Sequence, residues 1–490
     1  MTAMAQPLTG ASSPTVIWDS ICWKAVETLV NRLQMRIAKA TREGKRGKVK
    51  SLQRILTHSF YGKLLAVKRV TRNSGRKTAG VDGIIWKSSK SKMQATLSLK
   101  CRGYHPIPLR RIYIPKRNGK QRPLGIPAMK DRAMQALHLL ALEPIAETLA
   151  DKNSYGFRPK RSCADAIEQC FITLAKKVAP TWILEGDIRA CFDKISHEWL
   201  ENNIPMDKNI LHKWLKSGYM EKTKLYSTEE GTPQGGIISP TLANMTLDGL
   251  EAIIKNVVKK SDKANFIRYA DDFIVTADTR EVLENKVKPA IEAFLNSRGL
   301  ELSQEKTKIT HIEDGFDFLG FNVRKYNGKL LIKPAKKHVL SFLSGIRELI
   351  KHNGTETTEG LILTLNKRVR GWANYYRHAV SKKIFSYVDN CIYDAICRWM
   401  KRRHPGKSWN WLRKKYFRSQ ALRNWIFSVK FRNKDGEMKN LDLFKAGSVA
   451  IKRHIKIRNN AHPYDPAFTE YFVKRDKGHL VSLWKCIFGT

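Results

Sequence analysis

An α+β fold is what this chain predicts, from three observations. Apolar residues recur at helix spacing from Val16 to about Val70, short β-prone runs closed by turn residues alternate with helices through the middle, and helical periodicity resumes beyond the hairpin Val323–Leu330. At 490 residues the chain exceeds one compact core, so about two to four domains are expected. A hydrophobic content of 42% supports folded domains rather than a disordered polymer.

The 90 Lys and Arg stand against 44 Asp and Glu, a formal charge of +46. Such a charge repels itself in the free protein and is relieved by a polyanion, whose phosphates release counterions on binding. A membrane is not the expected partner. The basic residues are spread along the whole chain, and no apolar run approaches the roughly 20 residues of a spanning helix. Cysteines at 22, 101, 163, 170, 191, 391, 397 and 486 form no CxxC pair, so neither a zinc finger nor a disulfide framework follows. The start Met1-Thr2-Ala3-Met4 lacks the charged-then-apolar order of a secretory signal, and a cytoplasmic location is expected.

Two or three basic amphipathic helices are predicted first, with Trp18, Ile21, Trp23, Val26, Leu29, Val30 and Leu33 on their apolar side. Arg36 to Lys50 is dense in cations and holds Gly44 and Gly47, which predicts a charged loop. Arg36, Lys39, Lys45 and Arg46 are its RNA-contact candidates, against the plainer reading of a solvated face. The Gly-rich stretch Asn73–Gly83 lacks the GK[ST] ending of a phosphate-binding P-loop. Next, Arg110–Lys116 and Gln121–Pro127 flank Asn118-Gly119, a strong hairpin signal, with basic side chains suited to a triphosphate or a template backbone. Helices are predicted over Asp131–Ala150, with Ala133, Leu137, Leu140, Leu142 and Ile145 inward, and over Cys163–Ala179. The strand Trp182–Ile188 then delivers Asp187 at its C-terminal end.

Between the β-prone runs Asn265–Arg268 and Phe273–Thr276 lies Tyr269-Ala270-Asp271-Asp272, the turn of a hairpin. Adjacent carboxylates repel unless a cation joins them. On four residues alone an ordinary surface turn is the simpler reading, and Asp187 is what tips the balance. Three carboxylates meeting in one antiparallel sheet can hold two divalent ions roughly 3.5–4 Å apart, one activating an attacking hydroxyl and one steadying a leaving pyrophosphate. Between these strands, Gly231–Pro240 supplies glycines for close backbone approach, and a helix is predicted to start near Ser239-Pro240 with Ser239 as its cap.

The motifs RxYIPK, QRPLGIP, YGFRP, GDIxxCFDxIxH, GTPQGGIISPxLAN, YADDF, LSxEKTxI and FxFLGF follow in that order. From about Thr78 to Phe321 the chain thereby resembles the reverse transcriptases encoded by bacterial group II introns, the intron maturases. The resemblance implies a right-hand polymerase, with fingers, an antiparallel palm sheet and an α-helical thumb called domain X. Such an enzyme extends an RNA or DNA primer with dNTPs on an RNA template, using two Mg2+ per site with Mn2+ as a substitute. Carried over by position, Asp187, Asp271 and Asp272 are the catalytic metal ligands, assisted by the Ile188 carbonyl. Phe192 is the aromatic gate against a ribose 2′-OH, or a buried palm aromatic; Lys116 and Arg122 grip the triphosphate; Gln234 touches the nucleotide or the template sugar. Lys306 stands where a general acid for pyrophosphate departure is placed, with a surface lysine as the alternative. Asp193 is expected to be structural, and His197 to pack or cap a helix.

Leu365–Arg377, Phe385–Arg403 and Pro405–Trp409 resemble domain X, which grips intron RNA. There Arg368, Arg370 and Arg377 are the RNA candidates, whereas Trp372 and Tyr375 are expected in the core. His462–Pro466 with Tyr471-Phe472 resembles the linker before an HNH endonuclease, and Val473–Thr490 holds no HNH set, so a remnant without nuclease is expected. The division expected is a basic helical extension over 1–75, fingers and palm over 76–330, thumb over 331–440 and a basic DNA-binding-like region over 441–490. Intron RNA, an RNA template with its primer, dNTPs and target DNA are the implied partners. A domesticated or defence-associated reverse transcriptase without an intron, and a non-catalytic RNA-binding maturase, are the alternatives.

Overall fold

A computed structural model describes residues 18–115, 119, 121–421, 423–432 and 436–476. The chain opens with α1 (Trp23–Arg42), α2 (Arg46–His58), α3 (Phe60–Arg72) and α4 (Ser89–Ser98), then β1 (Leu109–Pro115) and β2 (Gln121–Ile126). The first three helices pack on α5 (Met129–Leu149), whose residues are buried on nearly every side, as an interior helix requires. Most of Arg36–Lys50, expected as a loop, is helix instead. Ile37, Ala38, Ala40 and Val49 are buried at helical spacing while Arg36, Lys39, Lys45 and Arg46 face outward, so amphipathic period outweighs charge density.

After α6 (Cys163–Leu174) come β3 (Trp182–Asp187), α7 (Cys191–Lys194), α8 (His197–Asn203), α9 (Lys208–Leu215), β4 (Tyr219–Glu221) and β5 (Lys224–Tyr226). α6 stops at Leu174, short of the expected Ala179. Next are α10 (Ser239–Leu247), α11 (Leu250–Val257), β6 (Asn265–Tyr269), β7 (Asp272–Ala277), α12 (Arg280–Val282), α13 (Lys288–Asn296) and β8 (Lys308–His311). Ser239 is not the cap of α10: it is the first helical residue, Ile238 stands at the N-cap position without a side-chain cap, and Gln135 Oε1 accepts from the Ile237 N–H at 2.8 Å just before it.

The central sheet has the order β6-β7-β3-β8 and is antiparallel throughout. Both its faces are covered, which strand alternation makes possible. Leu184, Phe266, Phe273 and Val275 enter the core shared with the N-terminal helices, whereas their neighbours Ile183, Ile267 and Ile274 enter a second core built with the C-terminal helices. β1 and β2 form the expected hairpin, extended by β4, parallel to β1, and β5, neither of which the sequence announced.

Beyond the central sheet, β9 (Phe316–Phe318), β10 (Phe321–Tyr326) and β11 (Lys329–Pro334) precede α14 (Lys336–His352), α15 (Thr358–Tyr376), α16 (Lys382–Arg403) and α17 (Trp409–Tyr416). Trp372 stacks on Phe342 at 4.7 Å, as a core aromatic should, but Tyr375 is exposed and ties its hydroxyl to the Leu319 carbonyl at 2.8 Å. A second unannounced sheet follows, β12 (Phe417–Gln420), β13 (Arg423–Arg432) and β14 (Met438–Asp442). Residues 330 and 440, expected as boundaries, lie inside β11 and β14, each hydrogen-bonded to a neighbour, so the chain does not divide there.

Residues 450–476 run back over α5 and α6 as a strap. Its anchor is Asp165, fully buried, which receives the His454 ring nitrogen at 2.9 Å, the Ile457 N–H at 2.7 Å and Arg475 at 2.9 Å. Burial alone would raise the Asp165 pKa; these partners hold it well below the usual carboxylate range.

Candidate active site

The hairpin of β6 and β7 closes at the pair Tyr269 and Asp272, leaving Ala270 and Asp271 as its two-residue turn. Ala270 takes φ +59, a left-handed conformation that costs an L-residue with a side chain roughly 1–2 kcal/mol. Something must hold it there, and the strap of loop behind it does. A Cβ on Gly156 would come within 2.3 Å of the Ala270 nitrogen, so only glycine lets the loop press against the turn. Asn244 donates to the Gly156 carbonyl at 2.8 Å and accepts from Arg268 at 3.1 Å.

Arg268 is the residue the sequence reading missed. Its side chain is 0% exposed, two residues before the turn, ion-paired with Asp248 at 2.5 Å and reaching the Ala270 carbonyl at 3.4 Å. A guanidinium is seldom fully buried unless paired. The one available signal was an arginine directly after Phe266 and Ile267 in a strand that enters the core.

In β3, Asp187 is the register partner of Asp272, so the central strand and the hairpin bring the three carboxylates to one edge of the sheet. Their mutual effect is electrostatic. Burial first, then Asp271 and Asp187, push Asp272 up to about 6, and burial with Asp187 raises Asp271. Lys306 Nζ donates to Asp187 at 2.8 Å, which raises the lysine pKa. Beyond Asp187, the bridge between Ile188 and Leu302 is closed by the Asp187 carbonyl and the Arg189 N–H, which turns the Ile188 carbonyl toward the β7 side.

These residues fit a divalent cation. Repelling carboxylates with raised pKa values are a hard oxygen-donor set, and the Lys306 ammonium stands on Asp187 as a cation would. Among the described residues no three acidic, His or Cys side chains are gathered around one ion position as they stand.

Gln234 joins the neighbouring parts. Its Oε1 accepts from Arg122 Nε at 2.7 Å, its Nε2 donates to both Asp193 oxygens at 2.8 Å, and its carbonyl accepts from Gly125 at 2.8 Å. Asp193 thus anchors the Gln234 loop. His197 does the same from its first-turn position in α8, bonded to the Gly231 carbonyl at 2.8 Å while Ser196 caps the helix. Phe192 is half-buried, edge-on to Phe157 at 6.2 Å. A cleft of about 420 Å3, lined by Arg111, Gly125, Phe192, Asp193, Tyr219 and Gln234 among others, opens between the basic hairpin and this loop. Lys116 lies outside the described residues.

Of the RNA candidates, Arg36, Lys39, Lys45, Arg46 and Arg368 are exposed, and Arg370 is half-buried with its guanidinium 4.7 Å from the Phe444 ring. Arg377 is a correction: it is only 8% exposed, because the strap crosses it and Lys452 N–H donates to its carbonyl at 3.0 Å.

A sheet carrying paired carboxylates at its edge, a basic hairpin across a cleft and a helical region behind it defines a nucleotidyl-transferring polymerase of the palm type. Residues 114–323 match the reverse transcriptase (RNA-dependent DNA polymerase) family, 18–99 the N-terminal domain of reverse transcriptase and 339–417 the group II intron maturase-specific domain. Protein YkfC of Escherichia coli is 31% identical over 342 residues, 60% of this chain and 87% of that protein. The group II intron-encoded protein LtrA of Lactococcus lactis is 27% identical over 443 residues, 70% of this chain and 73% of that protein. Among solved structures, telomerase from Candida albicans aligns at 15% identity with a TM-score of 0.38, covering 64% of this chain and 61% of that one, a likeness too distant to argue from. The chain belongs to the group II intron-encoded reverse transcriptases and maturases, and it is an RNA-directed DNA polymerase. That family works with divalent metal and RNA. Among the described residues, no helix is long and apolar enough to cross a membrane.

Proposed function

We propose that Asp187, Asp271 and Asp272, with the Ile188 carbonyl, hold two Mg2+ ions, replaceable by Mn2+, and that the chain copies RNA into DNA there and assists the splicing and mobility of its own group II intron. The observation that carries this reading is the Asp187 and Asp272 register with Asp271 on the adjoining turn. When bound, the metal supplies activation of the primer 3′ hydroxyl and neutralises charge on the departing pyrophosphate.

The chain's own groups do the rest. Arg122 and Lys116 bind the triphosphate of a dNTP, and Gln234, held from both sides, orients the nucleotide against the template. Phe192 excludes a 2′-OH by bulk. Lys306 holds a proton at Nζ; it loses the attraction of Asp187 when that carboxylate is occupied, and the proton becomes easier to give to pyrophosphate. Intron RNA lies against exposed cations of α1, α2 and α15, Arg36, Lys39, Lys45, Arg46 and Arg368 with Arg370 beside them; target DNA is the further partner. Residues 1–75, 76 to the end of β11, α14 to the end of β14, and the remainder, make extension, fingers with palm, thumb and tail.

Primer extension on poly(rA)/oligo(dT) with Mg2+ tests the polymerase, and absence of cDNA from the wild type overturns it. Splicing assistance by Asp271→Ala tests the separation of activities: its loss along with polymerisation would show that the two are not separable. RNA affinity is expected to fall steeply with salt, and a flat dependence removes the argument from charge.

A further inference from the structure

The sheet β12-β13-β14 lies almost wholly beyond the matched maturase segment, and nothing above gives it work to do. Its pairing slips once. Arg418 pairs with Ile426 but Gln420 with Arg423, so Asn424 and Trp425 together oppose Ser419 in a β-bulge. Trp425 takes the left-handed position of that bulge at φ +60, where glycine is the unstrained choice. Placing a tryptophan there costs roughly 1–3 kcal/mol, and the residue is still 44% exposed. It is the exposed tryptophan of the chain among the described residues.

The surroundings say what covers it. Tyr393, Trp409 and Phe417 pack against the ring with centroids at 6.3, 6.0 and 6.4 Å, tilted 41° to 48°, contacts that restrain the indole. Arg413 stands 5.9 Å from its centroid. From Trp409 to Asp442 the sequence holds nine Lys or Arg against three Asp or Glu, and Arg413, Lys414, Lys415 and Arg423 are exposed. An apolar partner would gain nothing from those charges. A restrained aromatic plane inside a cationic field matches a base with its phosphates.

We infer that Trp425 is a stacking platform for one unpaired base of a single-stranded nucleic acid, whose flanking phosphates meet Arg413 and Arg423. The site is separate from the palm carboxylates and does not depend on their metal. RNA and DNA share this chemistry, and the test distinguishes them.

Full-length protein is photo-crosslinked to short oligonucleotides carrying one 5-iodouracil, as single-stranded RNA, single-stranded DNA and blunt duplex, and the labelled residue is mapped by mass spectrometry. Labelling of Trp425 by either single strand, at least about fivefold above duplex, is expected from stacking worth about 1–3 kcal/mol per base. Which single strand labels names the source. Trp425→Gly relieves the bulge, so its melting temperature is expected to be unchanged or higher while crosslinking at the surrounding peptide falls about fivefold or more; Trp425→Phe retains most of it. No label at Trp425, or equal labelling by duplex, overturns the inference. So does a Trp425→Gly variant that melts lower, since the tryptophan would then be serving the fold. Mapping on the wild type decides even where a variant does not fold.

Discussion

Several hairpins of this protein turn in two residues, and two of them are built oppositely. Between β10 and β11 the turn is Asn327-Gly328, with φ +48 and +75 and open space around the glycine. Between β6 and β7 it is Ala270-Asp271, strained at Ala270, backed by Gly156 and underpinned by the buried Arg268 and Asp248 pair. Asn327 and Gly328 are residues for which left-handed backbone is cheap. Ala270 is not, and the structure packed around it supplies the rigidity that holds Asp271 in place.

The largest effect that tests this contrast is on activity. Asp271→Asn or Asp272→Asn should lower primer extension by about 10^3-fold or more, the size of several kcal/mol of lost charge stabilisation, while Asn327→Ala leaves the rate unchanged. Equal losses at both turns would erase the distinction. Next is the support. Arg268→Met strands the buried Asp248 carboxylate and should cost about 3–5 kcal/mol in urea unfolding, with Arg268→Met/Asp248→Leu recovering part of it. Third, Gly156→Ala pushes into the Ala270 backbone and should cost roughly 1–3 kcal/mol with a drop in kcat, whereas Gly328→Ala, with space but an unfavourable φ, costs about 1 kcal/mol in denaturant titration and no activity.

The smallest effect is in pH. Asp272, raised to about 6 when folded, binds more protons in the folded than the unfolded state between about pH 4 and 6. Metal-free stability therefore falls as pH rises through that window and levels above it. Asp272→Asn lacks the penalty, so its melting temperature should exceed that of the wild type above pH 6 and converge with it toward pH 4; a gap independent of pH would assign the repulsion elsewhere.

How far this was legible follows from the reach of each signal. Asp187, Asp271 and Asp272 could be placed in one sheet because β-strand alternation and a turn between apolar runs are local. Arg268 could not, because its burial is set by Asp248 and Asn244, which are on other elements. Arg377 looked like an RNA contact amid bases and aromatics, and was covered by Lys452, far along the chain. The Arg36–Lys50 stretch misled for a local reason: two glycines and many cations drew attention from Ile37, Ala40 and Val49 at helical spacing. The β12-β13-β14 sheet was hidden by its bulge, which breaks the alternation on which strand recognition relies.

Asp165 sets an order of events during synthesis. Its helix, α6, lies in the first half of the chain, but the His454, Ile457 and Arg475 groups that neutralise and bond it are made near the end. Until the ribosome has released that strap, α6 carries an acid that its fold intends to bury without the cations that permit burial. In a nascent chain, closure of this side of α6 is therefore expected to wait for the strap, which follows the thumb in the sequence.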